Sequence, residues 1–158
     1  MTAAAPGGGV TIRPAAGADL PQVAALAADH AAYERADRPP AGLPDRLAAL
    51  ISGPTPRLHL LVADTGGGKL VGYASCAPEL STWQGREYLH LDCLYLDEAY
   101  RGLGLGARLI GAAGELAGRL GLGELQWNTP DWNTDAIRFY RRLGATDRAK
   151  LRFSLPAG

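Results

Sequence analysis

The run Arg101-Gly102-Leu103-Gly104-Leu105-Gly106 is where this chain is best equipped to hold a charged ligand. Glycines remove the side chains that would keep a ligand away, and successive backbone N–H groups can form an anion-binding concavity. The start of the helix expected to follow adds a favourable dipole. A phosphate-bearing ligand fits such a turn, and the neighbouring residues narrow its identity. A P-loop ends in Lys followed by Ser or Thr, whereas Ala107-Arg108 follow the last glycine here, so ATP or GTP is poorly supported. A dinucleotide fingerprint places its third glycine one residue later and follows a first strand, and this turn does neither. Upstream, Asp92 interrupts Leu89-His90-Leu91-Asp92-Cys93-Leu94, a run otherwise built to be buried. An unpaired buried carboxylate costs on the order of several kcal/mol or shifts its pKa upward. Either Asp92 caps a neighbouring backbone or pairs with a cation such as Arg86, or it does chemistry.

The elements that must position these residues can be read along the chain. Val10 to Arg13 reads as a strand, and Asp19 stands at the N-cap position of a helix whose apolar periodicity runs through Val23, Leu26 and Ala27 to Tyr33. Pro39, Pro40, Gly42 and Pro44 mark a loop, followed by a short helix from about Asp45 to Ile51. Leu58 to Ala63 and Leu70 to Ala77 are strands joined through Asp64-Thr65-Gly66-Gly67-Gly68, which is hairpin chemistry. Tyr88 to Leu96 is apolar on both faces, as a central strand covered on each side would be. Strict alternation places His90, Asp92, Leu94 and Leu96 on one face. A helix over Leu103 to Leu120, a strand over Glu124 to Thr129, a helix over Asp135 to Leu143 and a closing strand over Lys150 to Leu155 complete the pattern. The fold class expected is α+β, or α/β layered, with one mixed, mostly antiparallel sheet and helices on both faces. One domain is expected over residues 10–158, after a flexible start over residues 1–9.

Composition sets outer limits. Among 158 residues the 16 basic and 16 acidic side chains cancel, leaving no electrostatic footprint for nucleic acid or an anionic membrane. The start has neither the basic opening nor the apolar run of a secretory signal, so a cytoplasmic location is expected. Cys76 and Cys93 lack metal-ligand spacing and read as reduced core residues.

The residues from Leu94 through Arg101 to Gly106 resemble the acetyl-CoA signature of the GNAT superfamily, Arg or Gln, two residues, Gly, one residue, Gly or Ala. Asp131-Trp132-Asn133-Thr134-Asp135-Ala136-Ile137-Arg138-Phe139-Tyr140 and the residues to Ala145 are similar to the second superfamily segment, at about the expected distance. With Ile12-Arg13-Pro14-Ala15, Tyr33-Glu34 and Trp83, the likeness is to spermidine/spermine N-acetyltransferases and their thialysine-acetylating relatives, from about Ile12 through Asp147.

This resemblance implies a GNAT-type domain that uses acetyl-CoA as co-substrate, needs no metal, and works as a homodimer on a small-molecule amine. The backbone of Leu94, Tyr95 and Leu96 would pair with the pantetheine arm. Arg101, Gly102, Leu103, Gly104, Leu105, Gly106 and Ala107 would hold the pyrophosphate, and Asn133, Thr134, Asp135 and Ala136 would line the other side. Acetyl transfer needs a neutral amine and gains from a proton donor to the departing thiolate. The resemblance makes Asp92 the base, through a water, and Tyr140 the acid; His90, placed on the face of Asp92 by alternation, is either a reserve base or a core histidine bonded to a backbone carbonyl. Tyr33, Glu34, Trp83 and His90 would contact the acceptor. Trp83 otherwise anchors a turn, and Tyr140 otherwise packs a helix on a sheet. After Asp147 the sequence departs from the polyamine enzymes, with basic Arg148-Ala149-Lys150 in place of a longer, acidic connection. Added cations disfavour a polycation and suit an amino acid, or an antibiotic with one amine, carrying a carboxylate or phosphate nearby. The alternatives are acetylation of a protein N-terminus or lysine, and a noncatalytic acyl-CoA sensor, to which Asp92 and Tyr140 would be of no use.

Overall fold

Among the described residues the chain forms five strands, and Gly66 and Gly68, at φ of 82° and 84°, make the tight turn between two of them. The computed structural model describes residues 8–158; of the expected flexible start only Gly8 and Gly9, in a turn, are among them, and the rest lies outside the described residues. The strands are β1 (Thr11–Pro14), β2 (His59–Asp64), β3 (Leu70–Ser81), β4 (Arg86–Leu96) and β5 (Leu125–Trp127). The helices are α1 (Leu20–Tyr33), α2 (Leu43–Ile51), α3 (Leu105–Arg119) and α4 (Thr134–Arg142). The chain divides into two compact units, one ending at Asn128 and the other running Thr129–Gly158.

The first unit holds the five-stranded sheet, in the order β1-β2-β3-β4-β5. Pairs from β1 to β4 are antiparallel, and β5 returns parallel to β4 after α3 has crossed over. Helices cover both faces, as expected. On one side Leu109, Ala113, Leu116 and Ala117 of α3 pack on Leu61, Ala74, Cys76, Leu89 and Leu91. On the other, Leu20, Val23 and Leu26 of α1 pack on Leu60, Val62 and Tyr73, with Leu47 and Ile51 of α2 against them. Each such leucine removed from water contributes about 1.5–3 kcal/mol, which lets α3 keep its four glycines despite their poor helix propensity.

Two local devices set the frame. Asp19 does not cap α1 through its side chain. Its carboxylate instead accepts the Ala16 N–H at 2.7 Å and both outer nitrogens of Arg13 at 2.7 and 2.9 Å, while Arg13 Nε reaches Asp64 at 3.0 Å. A bidentate, charge-assisted pair outcompetes a cap. At Gly72 the strands approach so closely that a Cβ would lie 2.6 Å from Leu96 Cδ2 and 2.8 Å from the Tyr95 carbonyl oxygen.

The β3–β4 hairpin outruns its neighbours. Pairing with β2 ends at Cys76 and pairing with β5 begins at Leu89, so Ala77 to Tyr88 continue as a two-stranded ribbon. The second unit comprises α4, which is capped by Leu143 and followed by Gly144 at φ 91°, and irregular chain on either side of it. The closing strand expected over Lys150 to Leu155 is absent: alternation suits a strand, but no ladder includes these residues.

Candidate active site

The ladder between β3 and β4 contains one irregularity, and it falls on Asp92. Ser75 pairs with Cys93 and Cys76 with Leu91, so Asp92 is an extra residue with no partner, a β-bulge. The bulge inverts the phase of the strand. Leu89, Leu91, Leu94 and Leu96 all pack on the α3 side, while Cys93 and Tyr95 pack on the α1 side. The expectation that His90, Asp92, Leu94 and Leu96 share a face is therefore corrected, because strict alternation holds only for an unbroken ladder. Burial of Asp92 is corrected too: its side chain is 58% exposed. His90 Nε2 lies 3.8 Å from Asp92 Oδ1, and the Cys93 thiol lies 3.7 Å from Asp92 Oδ2. Arg86 instead donates to Gln84 at 3.0 Å.

The bulge coincides with the place where β4 loses β5. Leu89, His90 and Leu91 pair with Leu125, Gln126 and Trp127, and from Asp92 to Leu96 the ladder partner of β4 among the described residues is β3 alone. This stretch of β4 therefore has an edge without a strand partner, to which alternate residues present main-chain groups, and there the Leu96 carbonyl accepts from Arg101 Nε at 3.0 Å. The strand then leads through Glu98–Tyr100, a 3-10 turn, to the glycine run. Gly102 and Gly104 hold φ of 74° and 79°, a left-handed conformation that a side chain would oppose, and Gly104 is the N-cap of α3. Leu105, 1% exposed, pins the turn from below against Val10, Ala63 and Val71, and Gly106 and Ala107 form the first turn of the helix. Backbone N–H groups at this helix start suit an anion, and an open strand edge leading to it suits an amide-bearing arm, so the residues present fit acetyl-CoA.

The last turn of α1 gathers a polar cluster that sequence reasoning saw only in part. Glu34 accepts from His30 Nε2 at 3.1 Å, and His30 Nδ1 lies 3.1 Å from the Tyr73 hydroxyl. Because a carboxylate only accepts, Nε2 is the donor of the pair with Glu34. Burial pushes the Tyr73 phenol far up, with Cys93 and Asp92 adding to it, so it stays a donor. His30 escaped notice because it sits on the apolar stripe with Val23 and Leu26; its spacing to Glu34 was the available signal. Tyr33, by contrast, is 43% exposed and faces the guanidinium of Arg101. Trp83, at the tip of the β3–β4 ribbon, is 91% exposed and so does not anchor its turn by packing.

The second unit carries the other expected residues. Asn133 caps α4, its side-chain oxygen accepting the Ala136 N–H at 3.4 Å, with Thr134 and Asp135 in the first turn. Tyr140 follows in the same helix, its ring tilted against that of Phe139. Arg141 grips Asp147 through two hydrogen bonds of 2.8 and 2.9 Å. The structure thus brings His90 to Asp92 and Glu34 to His30 within the first unit, and Asn133 through Ala136 with Tyr140 onto one helix of the second.

Residues 23–145 match the Acetyltransferase (GNAT) family. A thialysine N-epsilon-acetyltransferase of Bos taurus is 33% identical over 145 residues, covering 87% of this chain and 85% of the relative. Among solved structures, a transcriptional regulator from Bacillus halodurans C-125 superposes with a TM-score of 0.74 at 29% identity, covering 91% of this chain and 99% of its own. An aminoglycoside acetyltransferase, meta-AAC0020, from a soil metagenome has the same fold, with a TM-score of 0.78 at 18% identity over 95% of this chain and 97% of its own.

Proposed function

Because the chain belongs to the GNAT family and is an N-acetyltransferase, we propose that it acetylates the side-chain amine of a small amino acid, with Asp92 as base and Tyr140 as acid. One observation carries this reading: the exposed carboxylate of Asp92, on a residue that the bulge leaves without a ladder partner, stands where β4 opens, one strand-length ahead of the glycine turn. Acetyl-CoA supplies the thioester carbonyl that is attacked and the thiolate that leaves. The open edge from Leu94 to Leu96 and the turn from Arg101 to Ala107 would hold it, and Asn133 to Ala136 are proposed as further cofactor-binding residues.

An alkylamine is protonated near neutral pH and has no lone pair to give. Asp92 would accept one proton of the ammonium through a water, attack of the freed nitrogen on the acetyl carbonyl would break the C–S bond, and the Tyr140 hydroxyl would give a proton to the departing sulfur and take up the second proton of the nitrogen as the amide forms. His90, within 3.8 Å of Asp92, orients that carboxylate. Tyr33, Glu34 and Trp83 receive the acceptor. For the acceptor class, the thialysine enzyme is one support. The other is charge: Asp147 is committed to Arg141, and Arg148 and Lys150 follow it, which suits a carboxylate better than a second cation. The proposal includes a homodimer and a cytoplasmic setting, in keeping with two free cysteines.

A thiol-release assay with acetyl-CoA tests this against thialysine, lysine, ornithine, spermidine and an aminoglycoside. Turnover is expected on thialysine or its amino-acid analogues. Asp92→Asn should lower kcat by about 10²–10⁴ with little change in acetyl-CoA affinity. Preference for spermidine would refute the acceptor class, and undiminished turnover in Asp92→Asn would refute the base.

A further inference from the structure

Arg101, the first residue of the glycine turn, has a side chain already engaged within the protein. Its Nε donates to the Leu96 carbonyl at 3.0 Å. Its guanidinium carbon lies 4.9 Å from the centre of the Tyr33 ring and 5.4 Å from that of Tyr95. The Tyr95 ring is in turn stacked with His30, with centres 5.3 Å apart and planes at 23°. His30 is fixed by Tyr73 and Glu34. A continuous set of contacts, His30, Tyr95, Arg101, Tyr33, therefore joins the last turn of α1 to the turn that opens α3.

The chemistry of this set is specific. A planar guanidinium lies against aromatic faces while still donating from its edge, which a flexible ammonium reproduces poorly. Tyr33 ends α1, and Arg35 just beyond it holds φ at 60°, so the chain there is bent into a fixed course instead of fraying. Ala36 and Arg35 close this end by donating to the Ala31 and Ala32 carbonyls at 2.8 and 3.2 Å. The ring of Tyr33 is thus offered to Arg101 from a rigid support.

We infer that Tyr33 is a positioning residue for the cofactor: through Arg101 it fixes the glycine turn, so the acceptor end of α1 and the phosphate turn are held as one body. The inference rests on the reading that residues 101–107 hold the pyrophosphate. Linkage makes the effect reciprocal, so that acetyl-CoA binding tightens the site for the amine by the factor by which the amine tightens the site for acetyl-CoA.

Calorimetric titration of the full chain with acetyl-CoA tests it, using Tyr33→Leu, Tyr33→Phe, Arg101→Ala, Arg101→Lys and the double variant Tyr33→Leu/Arg101→Ala, each checked for an unchanged melting temperature. Tyr33→Leu, Arg101→Ala and Arg101→Lys are each expected to weaken binding by about 3- to 30-fold. The double variant should bind within about twofold of the weaker single variant, because both remove one shared contact. Tyr33→Phe, which keeps the ring, should weaken binding less than Tyr33→Leu does. Wild-type affinity in Tyr33→Leu or in Arg101→Lys would overturn the inference, since Arg101 would then act on the phosphate as a charge alone. Multiplicative losses in the double variant would also overturn it. If the wild-type protein fails to bind acetyl-CoA, the reading beneath the inference falls as well.

Discussion

Burial pushes the Cys76 thiol up to about 12, with Asp92 adding to it, and pushes the Cys93 thiol up by the same two causes. Since the thiolate is the reactive form, neither should react with a disulfide reagent at pH 8 in the folded protein. Titration is expected to count no thiols before denaturation and both after it. The same inertness keeps the protein's own sulfur out of a thiol-release assay. Asp92 was legible as an oddity, being the lone acid in an apolar run, but its exposure was not, because alternation was assumed to run unbroken. A signal was present: with Asp92 skipped, Leu89, Leu91, Leu94 and Leu96 fall on strict alternation with His90, Cys93 and Tyr95 between them. Arg101 and Tyr33 each stand out in the sequence as candidates for a site, yet their contact does not, since it joins a helix end to a loop far along the chain. His30 was hidden for a related reason, its partner Tyr73 coming from another element.

Within α3, Gly111, Gly114 and Gly118 lie on the exposed face, and a Cβ at any of them would meet nothing within 4 Å. Glycine in a helix interior costs about 0.5–1 kcal/mol against alanine. Replacing all three with alanine should therefore stabilise the protein by about 1.5–3 kcal/mol, read as a higher urea midpoint at unchanged slope. The elements with strong local signals were placed correctly: the glycine-bearing hairpin between β2 and β3, α3 with its buried Leu105, Leu109 and Leu116, and α4. The β3–β4 hairpin is longer at its tip than Leu70 to Ala77 and Tyr88 to Leu96 foretold, because Pro78 and the charged Glu79, Arg86 and Glu87 read as loop. The segment Lys150 to Leu155 erred in the opposite sense. Its pattern was that of a strand, but a strand is a pairing, and pattern alone does not supply the partner.

Across the molecule, Arg13 ties β1 to Asp64 at the end of β2 and to Asp19 ahead of α1. The Arg13 guanidinium holds the Asp19 carboxyl below the usual carboxylate range, and the Gly66 N–H followed by Arg13 does so for Asp64. A depressed folded pKa contributes stability that is present above the unfolded value of about 4 and is lost as pH falls through the folded value. Arg13→Met should lower the urea midpoint at pH 7, because it removes the hydrogen-bonded partner of both carboxylates. Its deficit relative to wild type should shrink below about pH 4, as urea unfolding at the two acidities would reveal. No residue pattern announced this clamp, since Asp19 looked like a cap; the layered sheet with helices on both faces was readable because each layer keeps its own period. The long ribbon at the far end of β3 and β4 has a different consequence. Its tip, from Thr82 to Gly85, lies beyond the last contact with β2 and β5, while the ladder behind it pairs Gly72 through Ser81 with Leu96 through Arg86. A cut there would separate two fragments that share a sheet, so the protein is suited to expression in two self-assembling pieces.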